Sequence, residues 1–251
     1  MNDVFLYTIL FIAAFFAGLI DSIAGGGGLI SLPVLLSVGV PPQIALGTNK
    51  LQGTFGSFTA ALYYWRKKII DLRDAKSGAV WTMIGAAAGA WAVQQIDAEI
   101  LKDIIPALLF CIAVYTILTP SLGKAQKKAI LHAEIFFFVF GLLLGFYDGF
   151  FGPGVGAFWA IAFVLLLGYD LQRATGYTKV MNFVSNIIAL IVFAAGGSIW
   201  YSYGFVMGIG QMFGARIGAL FAVKKGVAVI RPLYIIVVVA TIAKLLYSRY
   251  W

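Results

Sequence analysis

Long apolar runs without a single charge set the limits on how this chain folds. Residues 4–20, 104–118, 187–195 and 233–242 contain no Asp, Glu, Lys or Arg. A helix that crosses a bilayer needs about 20 mainly apolar residues, and a broken or partial crossing needs fewer. Only 11% of the 251 residues are charged and 62% are hydrophobic, where a soluble domain would carry charge on about a quarter. There is too little polar side chain to cover a water-soluble fold of this size. The chain therefore reads as an all-α polytopic membrane protein, one transmembrane domain over residues 1–251. No basic residue precedes the first run and no clear cleavage site follows it, so that run is expected to be a retained helix rather than a leader.

Coarse helical segments fall at about 4–22, 28–38, 43–65, 77–95, 100–119, 130–148, 155–168, 172–195, 200–222 and 229–247. Eight are long enough to span. The segments 28–38 and 155–168 are short and start from glycine-rich breaks. The chain also repeats itself. Gly18-Leu-Ile-Asp21-Ser-Ile-Ala-Gly25-Gly-Gly27 parallels Gly145-Phe-Tyr-Asp148-Gly-Phe-Phe-Gly152-Pro-Gly154. Ala45-Leu-Gly47-Thr-Asn-Lys50 parallels Ala174-Thr-Gly176-Tyr-Thr-Lys179, and Gly85-Ala-Ala-Ala-Gly89 parallels Gly214-Ala-Arg-Ile-Gly218. Three ordered blocks at a nearly constant offset imply internal repeats, 1–123 and 129–251.

The net charge of +8 sits in short loops, which topology signalling explains more simply than nucleic-acid binding. The loop with Arg66, Lys67, Lys68, Arg73 and Lys76 is strongly basic, while its counterpart at 194–201 is uncharged. The next loop reverses the bias. Residues 94–103 hold three acids and one Lys, whereas the matching region carries Lys224, Lys225 and Arg231, and Lys124, Lys127 and Lys128 form a third basic loop. Opposite bias in equivalent loops is what inverted repeats predict under the positive-inside rule. The expected architecture is two inverted repeats of about five helical segments each, with broken or short helices after Gly25–Gly28 and Gly152–Gly154. The competing count, eight spans with re-entrant short segments and parallel halves, would put Lys224 and Lys225 outside.

Two constellations could carry function. Four consecutive glycines, Gly25 to Gly28, break a helix and free backbone N–H groups, which in a membrane must be paired or face a wet cavity. A helix restarting at Gly28 or Val155 would aim its positive end at such a cavity, and that end suits an anion. Gly26, Gly27, Gly28 and Gly154 are therefore candidate substrate contacts. The plainer alternative is close helix packing, the role assigned to the Gly85/Gly89 and Gly214/Gly218 pairs. The second constellation is Thr48, Asn49, Lys50 and Gln52 with Thr175, Thr178, Lys179, Asn182 and Asn186. Lys50 and Lys179 sit inside apolar segments at equivalent positions, where an unpaired cation is costly. Direct anion contact by both lysines is the functional reading, with Asn49, Gln52, Thr175 and Asn182 as hydrogen-bonding groups. Snorkelling, or static pairing with Asp21 or Asp148, is the alternative. Asp21 and Asp148 could neutralise the lysines at rest or take up protons during transport. Arg216 breaks the symmetry and could be a substrate contact or an anchor. Trp65, Trp81, Trp91, Trp200, Tyr201 and Trp251 read as interfacial anchors.

Cys111 and His132 each stand alone of their kind, so no metal site, cofactor or catalytic constellation is expected, and the chain does not read as an enzyme. The quoted glycine blocks, with Pro33, Gly47-Thr48-Asn49-Lys50, Tyr147-Asp148 and Lys179, resemble the sulfite exporter TauE/SafE family across nearly the whole chain. The likeness is strongest to bacterial members described only as probable membrane transporters. The resemblance implies a multi-pass protein of the bacterial inner membrane and, for some members, export of sulfite, sulfoacetate or related sulfur-containing organic anions. Gly176-Tyr177 departs from the small or hydroxyl residues of many relatives. The expected function is a secondary transporter exporting a small anion by alternating access, with an anion channel or a facilitator of an unrelated substrate class as the alternative. The bilayer and the anion are its expected partners, and a homodimer is open to it.

The inverted arrangement has a direct test. With Cys111 replaced, a single cysteine in 66–76 should react only from the cytoplasmic side and one in 195–201 only from outside. Labelling of both from one side would exclude inversion.

Overall fold

A computed structural model describes residues 3–118 and 128–225. Among these the chain is helical, with α1 (Asp3–Ala24), α2 (Gly28–Ser37), α3 (Pro42–Arg66), α4 (Lys76–Val93), α5 (Ala98–Leu118), α6 (Ala133–Phe150), α7 (Val155–Leu166), α8 (Leu171–Ala195) and α9 (Tyr201–Lys225). The expected segment at 229–247 lies outside the described residues, as do Lys124, Lys127, Arg231 and Trp251. The other nine segments are present. The main shifts are at the breaks. α1 and α6 run past Asp21 and Asp148 to Ala24 and Phe150, because what ends each helix is the next glycine pair. Gly25 and Gly26 have φ of 75° and 98°, and Gly152 and Gly154 have 101° and 85°, a left-handed region that side chains with Cβ resist.

Among the described residues, four helices are both long and apolar enough to cross a membrane: Asp3–Ile23, Ala133–Phe150, Leu171–Ala195 and Tyr201–Val223. At 25 residues, α3 has the length, but Thr48, Asn49, Lys50 and Gln52 lower its apolar content. All four of those side chains are buried, so the polarity of α3 points into protein rather than lipid. Along α1, α4, α6 and α9 many of the exposed residues are large and apolar, among them Phe5, Phe16, Ile84, Phe138, Leu143, Phe205 and Phe213. An outer surface of that kind suits hydrocarbon.

Small residues set the helix pairing. A Cβ on Gly214 would lie 1.8 Å from the Phe15 carbonyl oxygen, and one on Gly218 would lie 2.2 Å from that of Leu19. Thus α9 packs backbone-to-backbone along α1, in parallel. Gly85 and Gly89 meet the Leu142 and Phe146 carbonyls of α6 at 2.4 and 2.1 Å in the same way. Both spaced glycine pairs do the packing expected of them, and in each case they join helices from opposite halves of the chain. The inner pair, α3 and α8, runs antiparallel. Gly47 lies against Phe193 and Ser198, Gly53 against Asn186, and Gly176 against Tyr64.

Replacing Gly214 by Leu should force α1 and α9 apart and cost about 1–3 kcal/mol or more. Ala88→Leu, on the exposed face of α4, should be near neutral. Thermal unfolding in detergent measures both, and equal stability of the two variants would contradict the packing.

Candidate substrate site

The two helix breaks meet. A Cβ on Gly156 would stand 2.9 Å from Gly25 Cα, and one on Gly28 would stand 3.2 Å from Pro153 Cα. Only glycine backbone allows the start of α7 to approach the α1–α2 break this closely. The crossing of α3 and α8 lies beside this contact and carries the lysines.

Each lysine reaches the aspartate of the other half. Lys50 Nζ, on α3, donates to Asp148 Oδ1 at 2.6 Å, and also to the Asp148 carbonyl oxygen. Lys179 Nζ, on α8, donates to Asp21 Oδ2 at 2.9 Å. The lysines therefore do not snorkel to an interface. Both are buried, and the carboxylates balance their charge. The pairs differ in their other partners. The second oxygen of Asp148 accepts from the Ser185 hydroxyl. That of Asp21 accepts from the backbone N–H groups of Gly26 and Gly27 at 3.1 and 3.2 Å. The N–H groups freed by the glycine break thus hold a carboxylate of the same chain. They also differ in access: the side chains of Lys50 and Asp148 are 1% and 4% exposed, those of Lys179 and Asp21 0% and 14%.

Between the breaks lies a cavity of about 40 Å³, bounded by Asp21, the Lys50–Asp148 pair and the glycines Gly26, Gly28, Gly152, Gly154 and Gly156. Four amides complete its wall: Asn49, Asn182, Asn186 and Gln211. Asn49 Oδ1 accepts from Ser31 Oγ and Gln52 Nε2, both at 2.6 Å. Asn182 Oδ1 and Gln211 Oε1 are buried without a partner among the described residues, as is Gln52 Oε1. Terminal amides can turn to present either oxygen or NH2, so this wall can meet donors or acceptors.

Most of the expected site residues gather here. Gly27 and Lys179 stand directly behind Asp21, and Gln52 braces Asn49. Thr175 does not line the cavity, and its hydroxyl donates to the Leu171 carbonyl at 2.7 Å. Arg216 does not line the cavity; it is exposed, with its guanidinium 4.6 Å from the Tyr63 ring centre. Ser185, Gln211 and Ser31 were not singled out from the sequence. Ser185 follows Lys179 and Asn182 at spacings of three, one helical face, and Gln211 is a lone amide in an apolar stretch. Either pattern could have flagged them.

The departure at Tyr177 serves a different place. A second, open cleft of about 350 Å³ lies by the loop after α3, lined by Lys68, Asp71, Asp74, Arg173 and Tyr177. The Tyr177 hydroxyl donates to Asp74 Oδ2 at 2.9 Å, and Arg173 lies 3.3 Å from the same oxygen. Arg173 also covers the Tyr169 ring at 4.3 Å. Burial pushes the Tyr169 phenol up, with the nearby guanidinium pulling it down. This network ties the start of α8 to the loop after α3. Among the described residues no cluster of His, Cys, Asp and Glu could hold a metal ion.

Residues 10–245 match the family model described as Sulfite exporter TauE/SafE. The chain is 44% identical over 245 residues to the probable membrane transporter protein YfcA of Escherichia coli K12, covering 98% of this chain and 91% of that protein. It is 44% identical over 246 residues to a probable membrane transporter protein of Haemophilus influenzae, covering 98% and 96%. Identity to the probable membrane transporter protein YdhB of Bacillus subtilis is 26% over 224 residues, covering 85% and 87%. No solved structure matches. The chain therefore belongs to the sulfite exporter TauE/SafE family, as a multi-pass membrane transporter of the bacterial inner membrane.

Proposed function

We propose that the chain exports a small anion, such as sulfite or an organosulfonate, by alternating access around the cavity between the two helix breaks. The observation that carries this reading is the crossed pairing of Lys50 with Asp148 and of Lys179 with Asp21. Buried cations that serve only the fold need no cavity beside them. Here Lys50 lines one, together with glycine backbone and amides, the groups that bind an oxyanion. The volume suits a compact anionic head, since each water-sized sphere takes about 10–15 Å³.

An inverted relation between residues 1–123 and 129–251 fits this role. The matched helices α3 and α8 pack antiparallel, and the matched contacts α1 with α9 and α6 with α4 are both parallel. A two-fold axis in the membrane plane produces that pattern. Helices related this way can rock about a fixed site and open it to either face. A channel would need a continuous wet path, and a cavity of about 40 Å³ favours a carrier.

Flux into proteoliposomes tests the reading, with sulfite, organosulfonates, carboxylates and inorganic cations compared with and without a proton gradient. Saturable anion flux that accelerates with substrate on the far side is the expected result. Cation flux, or linear flux without exchange, would oppose it. Lys50→Ala and Lys179→Ala should each abolish anion flux. Lys50→Ala also strands a buried carboxylate, at a cost of about 3–5 kcal/mol. Adding Asp148→Asn should return most of that stability without returning flux, which separates loss of fold from loss of the site.

A further inference from the structure

We infer that Asp21 is an internal anion which the substrate displaces, and that Asp21 takes up a proton when displaced, so that anion and proton move together. This rests on the anion reading of the cavity. The carboxylate of Asp21 holds three donors at once: the N–H groups of Gly26 and Gly27 and the ammonium of Lys179, at 3.1, 3.2 and 2.9 Å. Two backbone N–H groups at the start of a helix and one cation form an oxyanion site. In this state a carboxylate of the chain fills it. Independent signs of a ligand lie alongside: Asn182 and Gln211 line the cavity, 4% and 5% exposed, each with an amide oxygen that has no partner among the described residues.

Charge balance then requires the proton. The groups in and around the cavity are Lys50 from α3, Lys179 from α8, Asp21 from α1 and Asp148 from α6, which sum to zero. The phenol of Tyr64, from α3, also lies near Asp21, its hydroxyl bonded to the Ser22 carbonyl at 3.0 Å. No other charged side chain lines the cavity among the described residues. Adding an anion to a neutral site within the membrane leaves a bare negative charge, which is strongly disfavoured. The anion must therefore take Lys179 and the glycine N–H groups. The freed Asp21 carboxylate then gains one O–H bond to a proton from the open aqueous side and becomes neutral. When the anion leaves, that proton is released and the carboxylate returns.

Asp148 is not the group that moves. Its two oxygens are held by Lys50 and Ser185, and the pair lies against Gly152, where a Cβ would come within 2.7 Å of Lys50 Nζ. Asp21 is the more exposed acid, and its partners include main-chain donors that another oxyanion can take over.

Methanesulfonate is a suitable probe because it carries no proton of its own at neutral pH. In proteoliposomes holding a pH dye, wild-type protein should move methanesulfonate together with protons. Uptake of one proton per anion bound should weaken binding to purified protein about tenfold per pH unit. Asp21→Asn should bind methanesulfonate more tightly, with no dependence on pH, and should move no protons. Asp74→Asn, at the outer cleft, should keep the wild-type slope. Wild-type flux without proton movement, or an unchanged pH slope in Asp21→Asn, would overturn the inference and leave the anion reading standing. A wild-type protein that binds neither methanesulfonate nor sulfite would remove the anion reading itself. If Asp21→Asn does not fold, the wild-type dye signal decides alone.

Discussion

Two buried lysines inside a membrane protein have to find negative charge, and here each finds it in the opposite half of the chain. A bare cation at that depth costs several kcal/mol, so the pairings Lys50–Asp148 and Lys179–Asp21 fix where α3 and α8 can lie relative to α6 and α1. Both aspartates sit in the last turns before a glycine break. Pairing therefore pulls both breaks towards the α3–α8 crossing, and glycine at 25, 28 and 156 lets their backbones touch. The cavity is the space left where these elements converge. Its polar wall follows from the same constraint, because a broken helix in lipid must turn its unpaired backbone groups towards protein or water.

The outer helices serve that centre. α9 against α1 and α6 against α4 are held by glycines facing carbonyl oxygens, with apolar side chains on the far side. Little holds these contacts except close approach, since lipid offers apolar side chains no hydrophobic gain from leaving it. Each contact joins the two halves, so neither half has its full set of packing partners alone. The halves share one interior, in keeping with a site formed from both.

Much of this could be read from the sequence. The uncharged runs gave the helices, the glycine blocks gave the breaks, and the spaced glycine pairs gave the packing faces. Each of these is a local pattern with a local cause. The pairing of charges was less legible. Asp21 and Lys50 are near in sequence and share a half, yet Asp21 joins Lys179 from 158 positions away. That partner depends on how α3 and α8 cross, which no local pattern carries. The same holds for the start of α2. The break at Gly25 to Gly28 announced free N–H groups, but the placement of Asp21 Oδ1 against Gly26 and Gly27 comes from the way the chain turns there. Thr175 lay in the right block and on a plausible face, and its hydroxyl is spent on its own helix.

The neutrality of the centre bears on how such a protein could work. A carrier must reorient empty as well as loaded. An empty site with two unpaired lysines would hold two positive charges in a low dielectric, and its movement would be opposed by desolvation and by the membrane potential. Crossed carboxylates remove that penalty from the empty state. They also prevent an anion from binding merely by adding itself, because some negative charge must then leave or be neutralised. The two pairs divide this task unevenly. Asp21, Lys50 and Asp148 all border the cavity, but both oxygens of Asp148 are held by side chains, Lys50 and Ser185, while Asp21 leans also on backbone N–H groups. One pair can act as a fixed post while the other exchanges its partner.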